Sequence, residues 1–261
     1  EKVSMQLPAN TFKAAIRNGD TLIGCWLGFA SNNVAEAMAA SGFDWLLIDG
    51  EHAPNDPRSA IDQLRALAPY PVHPLVRVVE ANVALVKQYL DIGAQTLLIP
   101  MIDTPEQAAL MVSATRYPPQ GIRGIGAALA RASRWNQVPD YINNANDEIC
   151  VLVQAETALA MSNLQAIAET EGVDGVFFGP ADLSASMGYL GQPDHPAVRQ
   201  AMLEGLQTVR SAGKAAGIMM TDRSLAKMYI DAGAQFVAVG IDTNLLVNAA
   251  TELASHFKTR S

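Results

Sequence analysis

Eight short runs of aliphatic, β-branched and aromatic residues recur along the chain, and they constrain its fold more than any other feature. They occupy residues 23–27, 45–49, 74–78, 96–100, 151–156, 175–179, 215–220 and 236–240. None carries the alternating polar residue of a strand with one wet face, so each is expected to be covered on both sides, as in a parallel sheet. Helical periodicity fills the gaps, over residues 33–40, 57–67, 83–92, 105–115, 158–169, 196–212 and 224–232. Helix ends are marked as well: Thr104-Pro105 supplies a cap followed by a first-turn proline. Gly42, Gly93, Gly213 and Gly233 stand where helices give way to a left-handed residue. Strand–helix alternation repeated eight times in 261 residues predicts a single α/β domain, a (β/α)8 TIM barrel spanning residues 1–261. Residues 10–18 predict a capping helix across the barrel's bottom. Residues 245–257 predict a last helix, apolar enough to pack on the barrel or on another subunit.

Composition narrows the function classes. A net charge of −8 disfavours nucleic acid or an anionic membrane as a partner, since both reward clustered Lys and Arg. No apolar run is long enough to span a bilayer, and no basic, apolar and small-residue signal opens the chain. Cys25 and Cys150 both lie inside apolar runs and read as free thiols in a reducing cytoplasm. Residues 1–4, ahead of Met5, read as a remnant outside the natural chain.

The strand-like runs end in chemistry. Trp45-Leu46-Leu47-Ile48 leads into Asp49-Gly50-Glu51-His52, Leu75-Val76 into Arg77, Val151-Leu152-Val153 into Gln154-Ala155-Glu156, and Val176-Phe177-Phe178 into Gly179-Pro180-Ala181-Asp182. Barrel enzymes work at the C-terminal rim of their strands, and that rule gathers Asp49, Glu51, His52, Arg77, Glu156 and Asp182 into one mouth. Taken singly each has a plainer account: an acid after a strand is often a helix cap, Arg77 a structural ion pair, His52 a loop imidazole. Taken together, charges from four strands at one rim are expected to be functional.

Glu156 and Asp182 offer hard carboxylate oxygens with no His or Cys close by in sequence, which suits Mg2+ or Mn2+ and disfavours a closed zinc site. Gly179-Pro180-Ala181-Asp182 adds amide groups leading into a helix start, a place for a small carboxylate. A cation beside that anion site would chelate a 2-oxo acid. None of the six lysines stands at a strand's C-terminal end, so a Schiff base is not expected; carbanion stabilisation falls to the cation and Arg77. His52 is the candidate acid–base group, because an imidazole titrates near neutrality, with Asp49 three residues earlier to orient it; Glu51 ranks below Asp49. A Gly/Pro/Arg-containing excursion from Arg116 to Trp135 interrupts the regular alternation and is expected to cover or complete the active site. Its Arg123, Arg131 and Arg134 are candidates for a distal carboxylate or a neighbouring subunit.

These residues resemble the HpcH/HpaI family of metal-dependent, class II pyruvate aldolases over nearly the whole chain. The runs that carry the resemblance include Gly42-Phe43-Asp44-Trp45-Leu46-Leu47-Ile48-Asp49-Gly50-Glu51-His52-Ala53-Pro54-Asn55, Gly121-Ile122-Arg123-Gly124 and Gly179-Pro180-Ala181-Asp182-Leu183-Ser184. The resemblance implies retro-aldol cleavage of a 4-hydroxy-2-oxo acid, such as 4-hydroxy-2-oxoheptanedioate of aromatic catabolism, to pyruvate and an aldehyde, there succinate semialdehyde. It implies that Glu156 and Asp182 ligate Mg2+, Mn2+ or Co2+, with no organic cofactor. Arg77 would contact the pyruvyl oxygen, and His52 with Asp49 would form the catalytic dyad. Gln154 would line the site, and amides near Gly179, Ala181 and Asp182 would hold the pyruvate carboxylate. Asp91 would reach a neighbouring subunit's site, and the last helix would be exchanged within a hexamer built from trimers. The pattern departs from the family at Ala155 and at Met219-Met220, and Met219 falls near the aldehyde's expected place. Rival activities are an aldolase of 2-keto-3-deoxy sugar acids and an oxaloacetate decarboxylase sharing the same enolate. A non-catalytic metal-binding barrel is the rival from another class.

Overall fold

The computed structural model describes residues 5–258. The expectation for residues 1–4 lies outside them. The chain opens with helix α1 (Thr11–Asn18) and then alternates β1 (Leu22–Leu27), α2 (Asn32–Ala39), β2 (Trp45–Asp49), α3 (Pro57–Leu67), β3 (His73–Arg77), α4 (Val83–Asp91), β4 (Thr96–Ile99) and α5 (Pro105–Thr115). After an excursion containing the short α6 (Tyr141–Asn144) come β5 (Cys150–Ala155), α7 (Ala158–Ser162), α8 (Leu164–Glu169), β6 (Gly175–Phe178) and α9 (Pro180–Ser186). The chain closes with α10 (Pro196–Ser211), β7 (Ala215–Met219), α11 (Arg223–Asp231), β8 (Phe236–Ile241) and α12 (Asp242–Phe257). The eight strands are all parallel and close into a barrel, β8 pairing with β1. This is the expected (β/α)8 architecture.

Local chemistry sets the helix starts. Asp56 and Thr104 each form a capping box, with Ser59 and Gln107 respectively, and a proline follows each cap. Asn82 and Asp222 accept two backbone N–H groups each at the heads of α4 and α11. The helix expected over 158–169 is broken at Asn163, whose side-chain amide donates to the Asp103 carbonyl at 2.8 Å instead of facing solvent.

Strand parity divides the core. In β2, Leu46 and Ile48 face the helices while Trp45 and Leu47 point into the barrel; β3, β5 and β6 repeat this with Leu75, Leu152 and Phe177 inside. Small inward residues make room for large ones. A Cβ on Gly24 would overlap the Trp45 indole, and one on Gly217 the Phe236 ring. The bottom is closed by α1, as expected. Phe12 packs edge-on against Trp45 and Phe236 at 6.2 and 5.8 Å. Asn10 donates to Thr96 Oγ1 (3.0 Å), and Lys13 Nζ donates to the carbonyls of Asp147 and Ile149, both at 2.7 Å.

The excursion corrects the reading from sequence. It joins the end of α5 to the start of β5, so it lies at the N-terminal end of the barrel and cannot cover the C-terminal mouth of its own chain. There Arg131 donates to the Ile92 carbonyl at 3.0 Å and Arg123 pairs with Asp91 at 2.8 Å. The final helix starts three residues earlier than expected, at Asp242, directly after β8. Leu245, Leu246, Val247, Leu253 and Phe257 stand exposed along it. No described helix is long and apolar enough to cross a membrane.

Candidate active site

Inward parity carried two residues past the barrel's packed interior arrives at Asp49 on β2, Arg77 on β3, Gln154 on β5 and Met219 on β7. Gly179 follows directly after β6. These five meet around a cavity of about 370 Å³ at the C-terminal mouth, which His52, Ala181 and Asp182 also line. Eight of the site residues expected from sequence therefore line one cavity.

Arg77 is its centre. Nε and Nη2 donate to Asp49 Oδ1 and Oδ2 at 2.8 and 2.7 Å, a planar two-point pair, while Nη1 lies 2.8 Å from Glu51 Oε2 off the hydrogen-bonding line. The guanidinium also sits 5.5 Å from the Trp26 ring centre. Burial pushes the Asp49 carboxyl up, but the Arg77 hydrogen bonds and charge, with the amides of Glu51 and His52, overcome this and hold it below the ordinary carboxylate range. Asp49 thus belongs to Arg77, not to the His52 ring. Only the His52 backbone N–H reaches it, at 3.4 Å, whereas the imidazole Nε2 lies 3.8 Å from Glu51 Oε2. The ring partner expected from sequence was Asp49; the acid nearer the imidazole is Glu51. The bidentate geometry of a guanidinium explains the exchange, since it claims both Asp49 oxygens.

Glu156 lies just behind the cavity wall, buried at the start of the turn after β5. Its Oε1 accepts from the Met101 amide at 2.9 Å, and its Oε2 accepts from Gln154 Nε2. Met101 makes that bond from a left-handed backbone, φ 54°, which a non-glycine residue holds only where its surroundings impose it. Gly179 leaves room on the other side, for a Cβ there would come within 2.5 Å of Glu156 Oε2. Burial pushes the Glu156 carboxyl up to about 7 against the pull of the Met101 amide, and the charges of Glu51 and Asp182 add to the rise. Glu51 is likewise raised by burial, against Arg77 and His52, with Asp49 and Asp182 contributing. The mouth is short of positive charge.

That shortage, with the Gln154 Oε1 buried and without a partner, fits a hard divalent cation in chemistry and charge. Among the described residues no group of three or more His, Cys, Asp and Glu side chains is arranged to hold a metal. A cation here would take Glu156 and Asp182, the latter exposed on the first turn of α9, and complete its shell from water and substrate.

Asp91 is not brought to this mouth. It ends α4 at the opposite end of the barrel, paired with buried Arg123. Ile241 and Thr243 also line the cavity, as do Trp26 and Phe177, which sequence reasoning did not place there. Trp26 and Phe177 were recoverable from parity, being inward positions of β1 and β6. Asp242, the acid that follows β8, accepts with its carboxylate from the Gly28 and Thr243 amides at 2.8 and 2.7 Å and ties the β1 loop to α12.

Known proteins resemble the chain over nearly its whole length. The chain is 62% identical to a hydroxypyruvate/pyruvate aldolase of Deinococcus radiodurans over 97% of its own length and 91% of the relative's. It is 56% identical to a 4-hydroxy-2-oxo-heptane-1,7-dioate aldolase of Escherichia coli over 95% of each. The crystal structure of an HpcH/HpaI aldolase/citrate lyase family protein from Burkholderia cenocepacia superimposes with a TM-score of 0.93 at 41% identity, covering 96% of this chain and all of that one. With residues 22–249 also matching the family's own sequence profile, the chain belongs to the HpcH/HpaI aldolase/citrate lyase family.

Proposed function

We propose that this protein is a class II pyruvate aldolase that cleaves 4-hydroxy-2-oxo acids reversibly to pyruvate and an aldehyde. The observation that carries the reading is the mouth itself: an arginine braced by two carboxylates, beside the buried Glu156 and the exposed Asp182, with acids outnumbering cations. Glu156 and Asp182 would hold a divalent cation, Mg2+, Mn2+ or Co2+, which would supply Lewis-acid polarisation at the 2-oxo group. Arg77 spends two of its five N–H groups on hydrogen bonds to Asp49, leaving donors on Nη1 and Nη2 to hold the pyruvyl oxygen. Because Asp49 fixes the plane of the guanidinium, those donors are oriented before substrate arrives. Amides at Gly179, Ala181 and Asp182 hold the pyruvate carboxylate, and Gln154 lines the donor side. His52, two-thirds exposed on the lip, manages the proton of the C4 hydroxyl, directly or through water, beside Glu51.

Hydroxypyruvate is a second donor reading, supported by relatives named hydroxypyruvate/pyruvate aldolase. The active form is a hexamer of two trimers with α12 exchanged between subunits and Asp91 reaching a neighbour's mouth, a reading supported by the exposed apolar face of α12. The two buried free thiols suit the cytoplasm.

Pyruvate C3 proton exchange tests the core of this. Arg77→Lys keeps a cation between Asp49 and Glu51 but removes the planar fork, so exchange should fall roughly a hundredfold. Exchange at the parental rate in a folded variant would remove Arg77 from the mechanism.

A further inference from the structure

The excursion between α5 and β5 does not reach the mouth of its own chain, yet it closes a second cavity. This one lies at the N-terminal end of the barrel and holds about 290 Å³. Part of its lining is apolar: Leu64 and Leu67 of α3, Val72 ahead of β3 and Ile149 ahead of β5. Another part is positively charged. Arg131 and Arg134 of the excursion line it, and no Asp or Glu does. His73 adds no charge, for burial pushes its imidazole down to about 4 and Nε2 lies 2.8 Å from Thr96 Oγ1.

Both arginines lack a counter-charge. Among the described residues neither forms an ion pair with a carboxylate. Asp91, the acid of the adjoining turn, is taken by Arg123 and stands outside the lining. Each guanidinium donates once to a carbonyl, Arg131 to Ile92 and Arg134 to Arg131, both at 3.0 Å. Most of their five N–H groups are left over. Their placement is specific as well. Gly93 makes room for Arg131, since a Cβ there would stand 2.5 Å from Nη1. Arg134 opens three successive left-handed residues, at φ 51°, 55° and 62°, a conformation that persists only where its surroundings impose it. Burial, then the charges of Arg134 and Arg65, push the Arg131 guanidinium down to about 10. Acids outnumber Lys and Arg by 26 to 18 in this chain, so cations gathered without one are the exception.

We propose that this cavity binds a small organic anion, its carboxylate held by Arg131 and Arg134 and its apolar body lying on Leu64, Leu67, Val72 and Ile149. Guanidinium forks match the plane of a carboxylate, and the anion would relieve the repulsion between the two cations. The aliphatic part of the lining favours a hydrocarbon body over a bare ion. The volume stands at the lower end of the range for ligand pockets and suits a molecule of one ring. The site is independent of the aldolase reading, and at the far end of the barrel it leaves the mouth free.

Benzoate and its uncharged isostere benzamide test this by calorimetry on the full chain. One benzoate per protomer should bind with a dissociation constant of about 1 mM or tighter, and benzamide at least about tenfold more weakly. Inorganic phosphate, an anion without an apolar body, should also bind at least about tenfold more weakly than benzoate. Equal affinity for benzamide removes the arginines from the site, equal affinity for phosphate removes the apolar lining, and either result overturns the proposal. Arg131→Met and Arg134→Met keep much of the stem packing and remove the charge, and each should weaken benzoate at least about tenfold. Ala68→Phe fills the cavity from an exposed position of its lining. It should weaken benzoate at least about fivefold while the ligand-free melting temperature stays within about 2 °C of the parent. Parental benzoate affinity in these three variants would place the ligand elsewhere, the mouth included, and sink the site. Sedimentation of the two arginine variants should show parental mass. A lower mass would assign both side chains to contact with a second copy of the chain and overturn the proposal.

Discussion

Glu156 shows how a single side chain reports what its site lacks. A buried carboxylate whose neighbours are Glu51 and Asp182 holds its proton up to about pH 7 in the metal-free protein, well above the ordinary glutamate value. The unfolded chain would release that proton near pH 4.5. Between those values the folded state binds more protons than the unfolded one, so stability falls as pH rises through the window. A shift of this size corresponds to roughly 3 kcal/mol across the window. Metal-free protein should therefore melt at higher temperature near pH 5 than near pH 7.5, and Glu156→Gln should flatten that slope. Added Mn2+ should raise the melting temperature more at pH 7.5 than at pH 5, where it competes with the proton for the same oxygens. A melting temperature that climbs with pH in metal-free protein would contradict the charge account of the site. Asp49 behaves oppositely. Its carboxyl is held low by Arg77, so its contribution is present above the usual carboxylate range and is lost on acidification through the lowered value.

At the scale of elements, most of the barrel was legible because burial on both faces leaves a recognisable apolar run, and all eight runs became strands. Functional residues were legible for a related reason. A charged or amide side chain at the end of such a run has no packing purpose, and Asp49, Arg77, Gln154, Glu156 and Asp182 all gather at the mouth. Three things were not legible from run endings. Which acid faces the His52 ring depends on a guanidinium claiming both oxygens of Asp49, a contact between strands that spacing within one strand does not encode. The cavity's aromatic wall needed strand parity, which selects Trp26 and Phe177 as inward residues. The excursion was misplaced because its composition was weighed ahead of its position: a connection from helix to strand lies at the N-terminal end of a barrel whatever its glycine content. The turn from β6 into α9 carries an element-scale prediction. Gly179 leaves the space in which Glu156 Oε2 and Gln154 Nε2 sit, 2.5 and 2.9 Å from where a Cβ would stand. Gly179→Ala must displace these side chains, so Mn2+ affinity measured by calorimetry should weaken at least about tenfold. Unchanged affinity would mean that Glu156 is not held by this turn.

For the whole molecule, the question is why a barrel complete in its strands leaves so much apolar surface uncovered. On α12, Leu246, Val247, Leu253 and Phe257 are each more than half exposed, and in the helix only Asp242 is buried. At the other end, Ile122, Ile125, Leu129 and Trp135 of the excursion are exposed as well, near the backbone of Arg134, Trp135 and Asn136, three consecutive left-handed residues. Burying such side chains contributes roughly 1.5–3 kcal/mol each, so two such patches are costly to leave in water and favour association. The proposed hexamer covers α12 by exchange. Leu246→Glu combined with Leu253→Glu would force two charges into that contact, and sedimentation at micromolar concentration should show a species of lower mass than the parent. Parental mass in the double variant would exclude α12 from the interface. The same variant separates assembly from chemistry. Asp49, Arg77, Glu156 and Asp182 all come from one chain, so pyruvate C3 exchange per protomer should stay within about threefold of the parent, the two charges lying outside that mouth. Aldehyde addition should fall further, because the proposed reach of Asp91 into a neighbouring mouth is lost when the subunits part. If exchange and addition decline together, the donor half of the site also depends on assembly, and the division of labour argued from the mouth of a single barrel fails.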